Sequence, residues 1–332
     1  DTLIGGFGDN TLRGGAGDDT LIGAATSQNA NAEFNRVDYR DALAGVTITL
    51  SGGLDGTTST ATSAGDAANI GTDTLVNAEF AYGSAFADTV TVVAGFNGNR
   101  FGGFFEFEGG GGDDTFTYNG DSVGRVGYRT ALAGVTVDLE AGTASSSIGT
   151  TAGIGNDTFS GVRSVRGSDF DDTLFGNAST SINDEFRPRG GNDAIDGRGG
   201  LGDFVRYSGA SSNVIVDLGP DNQTTAVTTT SDGFGGQDTL IRIENIRSGS
   251  GDDQLSGDVN DNFLRGGGGN DTLDGRDGND VLYGEAGNDT LIGGFGDNTL
   301  RGGAGDDTLI GAATSQNANA EFNRVDYRDA LA

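Results

Sequence analysis

The chain has 332 residues, of which 62 are Gly and only 2 Pro, and its 19 bases face 49 acids, a formal charge of −30 at pH 7. A chain this acidic repels itself unless cations neutralise it. It also lacks the clustered bases that phosphate backbones and anionic membranes require, so nucleic-acid binding and membrane association are excluded. With no Cys and no His, disulfides, thiolate sites and imidazole ligands are excluded too, and any metal must be held by oxygen.

The acids are mostly Asp, the short carboxylate that suits turns and hard cations better than helices. Residues Asp1 to Ala44 recur unchanged as Asp289 to Ala332, an offset of 288, so the sequence reads as a window on a longer tandem array. In chain order, 1–32 reads as the end of one glycine-rich nonapeptide roll. Three longer modules follow at 33–119, 120–199 and 200–247. They share openings at Val37 to Leu50, Val126 to Leu139 and Val205 to Leu218. Each opening leads through a Thr-, Ser-, Ala- and Gly-rich loop to an Asp-Thr-apolar triplet at Asp73, Asp157 or Asp238. Fifteen residues later a second acidic turn follows, at Asp88, Asp172 or Asp253. Tyr39, Tyr128 and Tyr207 hold matching places and are expected to pack inside the coil. The apolar segment Phe101 to Phe107 reads as a buried strand, with an exposed patch through which arrays associate sideways as the alternative.

A second nonapeptide roll occupies 248–320, and 321–332 begins the next period. From Ser248 to Ile310 the roll divides into seven nonapeptides with Leu at place eight of each, from Leu255 to Leu309. A six-residue glycine-rich turn followed by a three-residue strand with one inward apolar side chain predicts an all-β fold, a thin coil of parallel strands. Helix is disfavoured almost everywhere.

Gly266-Gly-Gly-Gly-Asn-Asp-Thr-Leu-Asp274 and Gly302-Gly-Ala-Gly-Asp-Asp-Thr-Leu-Ile310 resemble the RTX family of secreted bacterial proteins, whose signature is G-G-x-G-x-D-x-U-x. The resemblance covers this run and Asp1 to Gly23 closely, the modules loosely. It implies an elongated right-handed parallel β-roll (a β-solenoid) with two nonapeptides per coil and several Ca2+ ions between stacked turns. The sixth-place acids Asp253, Asp271, Asp280, Asp289 and Asp307 would supply carboxylates, as would Asp1, Asp19 and Asp114. The turn glycines Gly251, Gly267, Gly269, Gly278, Gly287, Gly303 and Gly305 would aim backbone carbonyls. The resemblance further implies export by type I secretion and folding on calcium outside a bacterial cell.

Calcium takes six to eight oxygens at about 2.3 to 2.6 Å, and glycine permits the backbone angles that make carbonyls converge. Because two nonapeptides complete a coil, turns 18 residues apart share an edge. One edge then carries Asp253, Asp271, Asp289 and Asp307, and the opposite edge Asn262, Asp280 and Asn298. This predicts a fully occupied calcium edge and a weaker one centred on Asp280. Asp114, in a good match to the signature, and Asp193 and Asp203, in degenerate turns, have no stacked partners 18 residues away, and these isolated turns are expected to bind weakly or not at all. Two apparent motifs dissolve on inspection. Gly120-Asp-Ser-Val-Gly124 imitates a nucleophile elbow, but there is no His base. Asp258 to Asn262 begins like an EF-hand, but Phe263 and Gly269 stand where the bend glycine and bidentate Glu belong.

With no catalytic constellation in view, the chain is expected to be structural rather than enzymatic. The expected whole is a calcium-stiffened extracellular fibre, adhesin stalk or surface-layer component, self-associating or arrayed head to tail, with cell-surface glycans as a further partner. At ~4.8 Å per coil each period would add on the order of 77 Å. The alternatives are an accessory region of a secreted enzyme or toxin, and a glycan-binding module.

Overall fold

The computed structural model describes residues 1–6, 8–23, 34–51, 59–63, 70–96, 104–149, 153–221, 226–311 and 324–325. These form two compact units, Asp1–Ser168 and Asp169–Ala332. Among the described residues the regular structure is all strand, most of it in pieces of three to five residues. Among the described residues no helix is long and apolar enough to cross a membrane.

The nonapeptide run shows how this sequence makes a roll. On one sheet the strands between glycine-rich turns are the expected three residues, as at Thr272–Asp274. On the other they run six, Phe263–Gly268, Val281–Ala286 and Thr299–Ala304, because the first residues of the next turn stay extended and paired. In both, alternation turns one apolar residue inward. That residue is the place-eight leucine: Leu255, Leu264, Leu273, Leu282, Leu291 and Leu300 are at most 1 % exposed. Each burial contributes about 1.5–3 kcal/mol. Successive strands alternate between two sheets and pair in parallel with the strand one coil on. Leu255 faces Leu273, which faces Leu291, then Leu309. On the other sheet Leu264 faces Leu282, then Leu300. The 18-residue coil is therefore the register observed. Leu309, in the last described strand of its sheet, is only half-buried.

Outside the run the parallel reading needs correction. The Thr- and Ser-rich loop of the first module carries a strand, Ser59–Ser63, inserted antiparallel between Val46–Leu50 and Thr72–Val76. In the second module Thr143–Ser145 lies antiparallel between Thr136–Asp138 and Asp157–Ser160. The third splits the task, with Ser231–Asp232 antiparallel to Val214–Asp217 and Val227–Thr228 antiparallel to Thr239–Ile241. Threonine suits a half-buried pleated surface, so these loops extend the sheet instead of leaving it. The opposite sheet stays parallel in both units; in the first it runs Asn10–Leu12, Asn35–Asp38, Phe80–Tyr82, Phe105–Glu108, Gly124–Gly127 and Val162–Arg166.

That sheet of the first unit buries charge as well as apolar surface. Phe105 and Phe107 are buried as expected, while the start of their segment, 101–103, lies outside the described residues. Between them Glu106 accepts from Arg125 at 3.0 Å and Arg166 at 2.6 Å. Burial alone would raise its carboxyl, but the two guanidinium groups hold it below the ordinary carboxylate value.

Candidate metal-binding turns

Every turn of the run precedes its strand with six places. The fourth is glycine with a left-handed backbone in most of them, as at Gly269 (φ 108°), Gly278 (117°), Gly287 (133°) and Gly305 (132°). The second place is left-handed as well, at Gly267 (109°) and Gly303 (114°), and even where Arg276 (72°) and Glu285 (84°) fill it. Gly251 lies outside that region. The first place, glycine in every turn of the run but the one that opens on Ser248, is crowded for another reason: a Cβ on Gly266, Gly275, Gly284 or Gly302 would collide with Oδ2 of Asp271, Asp280, Asp289 or Asp307, five residues on.

The sixth-place side chains stack along the edge. The Asp253 amide donates to Asp271 Oδ1 at 2.8 Å, Asp271 to Asp289 at 2.8 Å, and Asp289 to Asp307 at 2.9 Å. The fifth-place residues bond in the opposite sense, Asn270 N–H to Asp252 Oδ1 at 2.7 Å and Asn288 N–H to Asn270 Oδ1 at 2.8 Å. One oxygen of each sixth-place carboxylate is thereby used. The other is not: Oδ2 of Asp253, Asp271, Asp280 and Asp289 is buried with no hydrogen-bond partner, as is Oδ2 of Asp19, Asp114, Asp193 and Asp203. Burial pushes the carboxyls up, Asp271 to about 7, Asp280 to about 8 and Asp289 to about 6. It raises Asp253 too, and carries Asp114 and Asp193 to about 9 and Asp203 to about 8. Asp307 is half-buried and Asp1 exposed; the Asp1 amino group donates to Asp19 Oδ1 at 2.7 Å, the bond that Asp289 makes to Asp307 one period later.

A buried carboxylate oxygen with nothing to accept from is costly, and a cation would complete it. No group of three acidic side chains able to hold a metal occurs among the described residues, and backbone carbonyls are the oxygens that the turns themselves bring to each carboxylate. Where those point is visible at the sixth-place asparagines. Asn10 donates from Nδ2 to Gly6 O at 2.9 Å and Gly8 O at 2.8 Å. Asn298, its counterpart one period on, does the same more loosely to Gly294 O at 3.5 Å and Gly296 O at 3.3 Å. Second- and fourth-place carbonyls therefore converge on the sixth-place side chain. With Asp in that place, the set is one carboxylate oxygen and converging carbonyls, all hard oxygen, which suits calcium.

Three sequence expectations change. The opposite edge is longer than Asn262, Asp280 and Asn298: Asp203 N–H donates to Glu244 Oε2 at 2.9 Å, Asp184 N–H to Asp203 Oδ1 at 2.7 Å, and Asn262 Nδ2 to Glu244 O at 2.9 Å. Asp114, Asp193 and Asp203 are not isolated. The Asp88 amide donates to Asp114, Asp114 to Asp157, Asp172 to Asp193 and Asp193 to Asp238. Their neighbours lie 19 to 45 residues away because inserted strands lengthen the coils. Finally, the repeated tyrosines do more than pack. Tyr39 donates to Asp73 Oδ2 at 3.0 Å and Tyr207 to Asp238 Oδ2 at 2.8 Å, and Tyr128 bonds Asp157 likewise. The signal was present in the sequence as the joint recurrence of one Tyr and one Asp in all three modules, but their separation hid the pairing.

Comparison with known families agrees with this geometry. The profile of the RTX calcium-binding nonapeptide repeat matches in four copies, at residues 1–25, 247–282, 256–291 and 283–313, less than a third of the chain. Comparison with curated proteins finds no match.

Proposed function

We propose, from the RTX calcium-binding nonapeptide repeats that this chain carries, that it is one period of a non-catalytic extracellular fibre, folded and stiffened by calcium. The observation that carries the proposal is a register that repeats with the sequence. In the first unit Thr11 faces Arg36 and Leu12 faces Val37. In the second, Thr299 faces Arg324 and Leu300 faces Val325, the same residues 288 positions later. The pairing with which one period starts is thus the pairing with which the next is entered, and such a unit can add copies of itself without a new interface. Asp253, Asp271, Asp280, Asp289 and Asp307 would hold calcium through Oδ atoms, with Asp19 and Asp114 doing so in the first unit.

Folding on calcium couples rigidity to the environment, since the ion is scarce inside cells and plentiful outside them. A protein of two or more successive periods, imaged by electron microscopy in millimolar calcium, should form continuous fibres lengthening with period number. Chelator should collapse them. Globular particles in calcium, or fibres that persist unchanged in chelator, would overturn the proposal.

A further inference from the structure

The buried sixth-place carboxylates of the nonapeptide run and those of the three Asp-Thr triplets fall into two classes by what faces their second oxygen. Asp253, Asp271, Asp280 and Asp289 have an unpartnered, buried Oδ2. Asp73, Asp157 and Asp238 are also buried, yet each receives a tyrosine hydroxyl, from Tyr39, Tyr128 and Tyr207. Where the place holds asparagine, an amide N–H does the work. Asn10 and Asn298 donate into the second- and fourth-place carbonyls of their own turns. Asn262 donates to Glu244 O and to Asp258 Oδ1 at 3.2 Å.

We infer that these hydroxyl and amide groups are internal surrogates for the cation, so that turns closed by Tyr39, Tyr128, Tyr207, Asn10, Asn262 and Asn298 keep their geometry without calcium while the open Asp turns do not. This rests on the calcium reading of the open turns. The physical need is visible at the module tyrosines. Asp73 sits in Thr72–Val76, with a coil on one side, where Asp19 N–H donates to its Oδ1 at 3.0 Å, and the inserted antiparallel strand on the other. Asp157 and Asp238 border their insertions in the same way. A cation between stacked turns draws ligands from both, and at an insertion the next turn is displaced. A hydroxyl needs only one acceptor and can close such a position alone. The Asn turns use the complementary device, a donor that satisfies carbonyls otherwise left to a metal.

Two variants of the 332-residue chain test this, Asn298→Asp and Tyr207→Phe. Asn298→Asp is nearly isosteric and turns an amide-closed turn into an open one; equilibrium dialysis should count one more calcium per chain than the parent binds. In Tyr207→Phe, hydrogen exchange should show the Asp193 amide, which donates to Asp238 Oδ1 at 3.0 Å, losing protection in chelator at least tenfold more than in the parent. An unchanged calcium count in the first together with unchanged chelated protection in the second would overturn the inference while leaving calcium binding by the parent intact. A parent that binds no calcium would overturn both the inference and the reading beneath it.

Discussion

Without calcium, the stability of the second unit should fall steeply as pH rises. In the folded chain Asp271, Asp280 and Asp289 have pKa values of about 7, 8 and 6, raised from 3.8 chiefly by burial. Below pH 3.8 both the folded and unfolded chains hold these protons, and the buried oxygens cost nothing as carboxyls. Between about pH 4 and 6 the folded chain holds all three protons and the unfolded chain none. Stability is therefore lost at about 1.4 kcal/mol per group per pH unit, roughly 4 kcal/mol per unit for the three. Above pH 8 the loss is complete, on the order of 10 kcal/mol, as large as the whole stability of an ordinary domain. The assay is denaturant unfolding of metal-stripped protein from pH 4 to 8, alongside a variant with all three residues changed to Asn. The parent should lose stability with rising pH and the variant should lose about three protons' worth less. A flat parent profile, or equal slopes in the two, would refute the claim that the buried carboxylates are uncompensated.

Four further outcomes follow from the packing. Leu273→Ala removes a side chain with no exposed surface and should cost about 2–5 kcal/mol, read as a lowered midpoint in calcium-loaded unfolding. Gly269→Ala places a Cβ on a backbone at φ 108° and against the Gly251 carbonyl; strain of about 1–3 kcal/mol plus the collision should lower the melting temperature by several degrees. Gly6→Ala, where a Cβ meets nothing within 4 Å, should leave it unchanged. Glu106→Gln leaves the Arg125 and Arg166 guanidinium groups without their shared charge and should cost about 3–5 kcal/mol in calcium or chelator alike, since no calcium ligand is touched; circular dichroism melts in both buffers check this.

The parts of the architecture carried by short-range periodicity were legible in the sequence. One Leu every nine residues sets which strand face is buried, and two such units set the 18-residue register that pairs Leu273 with Leu291. What escaped depends on contacts far apart in the chain. Ser59–Ser63 reads as loop because Thr, Ser and Gly dominate around it, and only the strands Val46–Leu50 and Thr72–Val76 on either side make it a third strand. Coils lengthened by such insertions put Asp193 beside Asp238, 45 residues on, where fixed spacing finds no neighbour. The candidate carboxylates could be named from the nonapeptide alone. Which of their oxygens is spent could not, because Oδ1 is taken by an amide from the adjacent coil and Oδ2 by a tyrosine only where a module supplies one.

The account turns on the buried, unpartnered Oδ2 atoms being calcium ligands. Crystals grown in calcium, with anomalous difference maps at a wavelength where the ion scatters strongly, locate it directly. The account predicts peaks at about 2.3–2.6 Å from Oδ2 of Asp271, Asp280 and Asp289, and none against Asn298. Well-ordered turns in which those oxygens have no calcium beside them would contradict it.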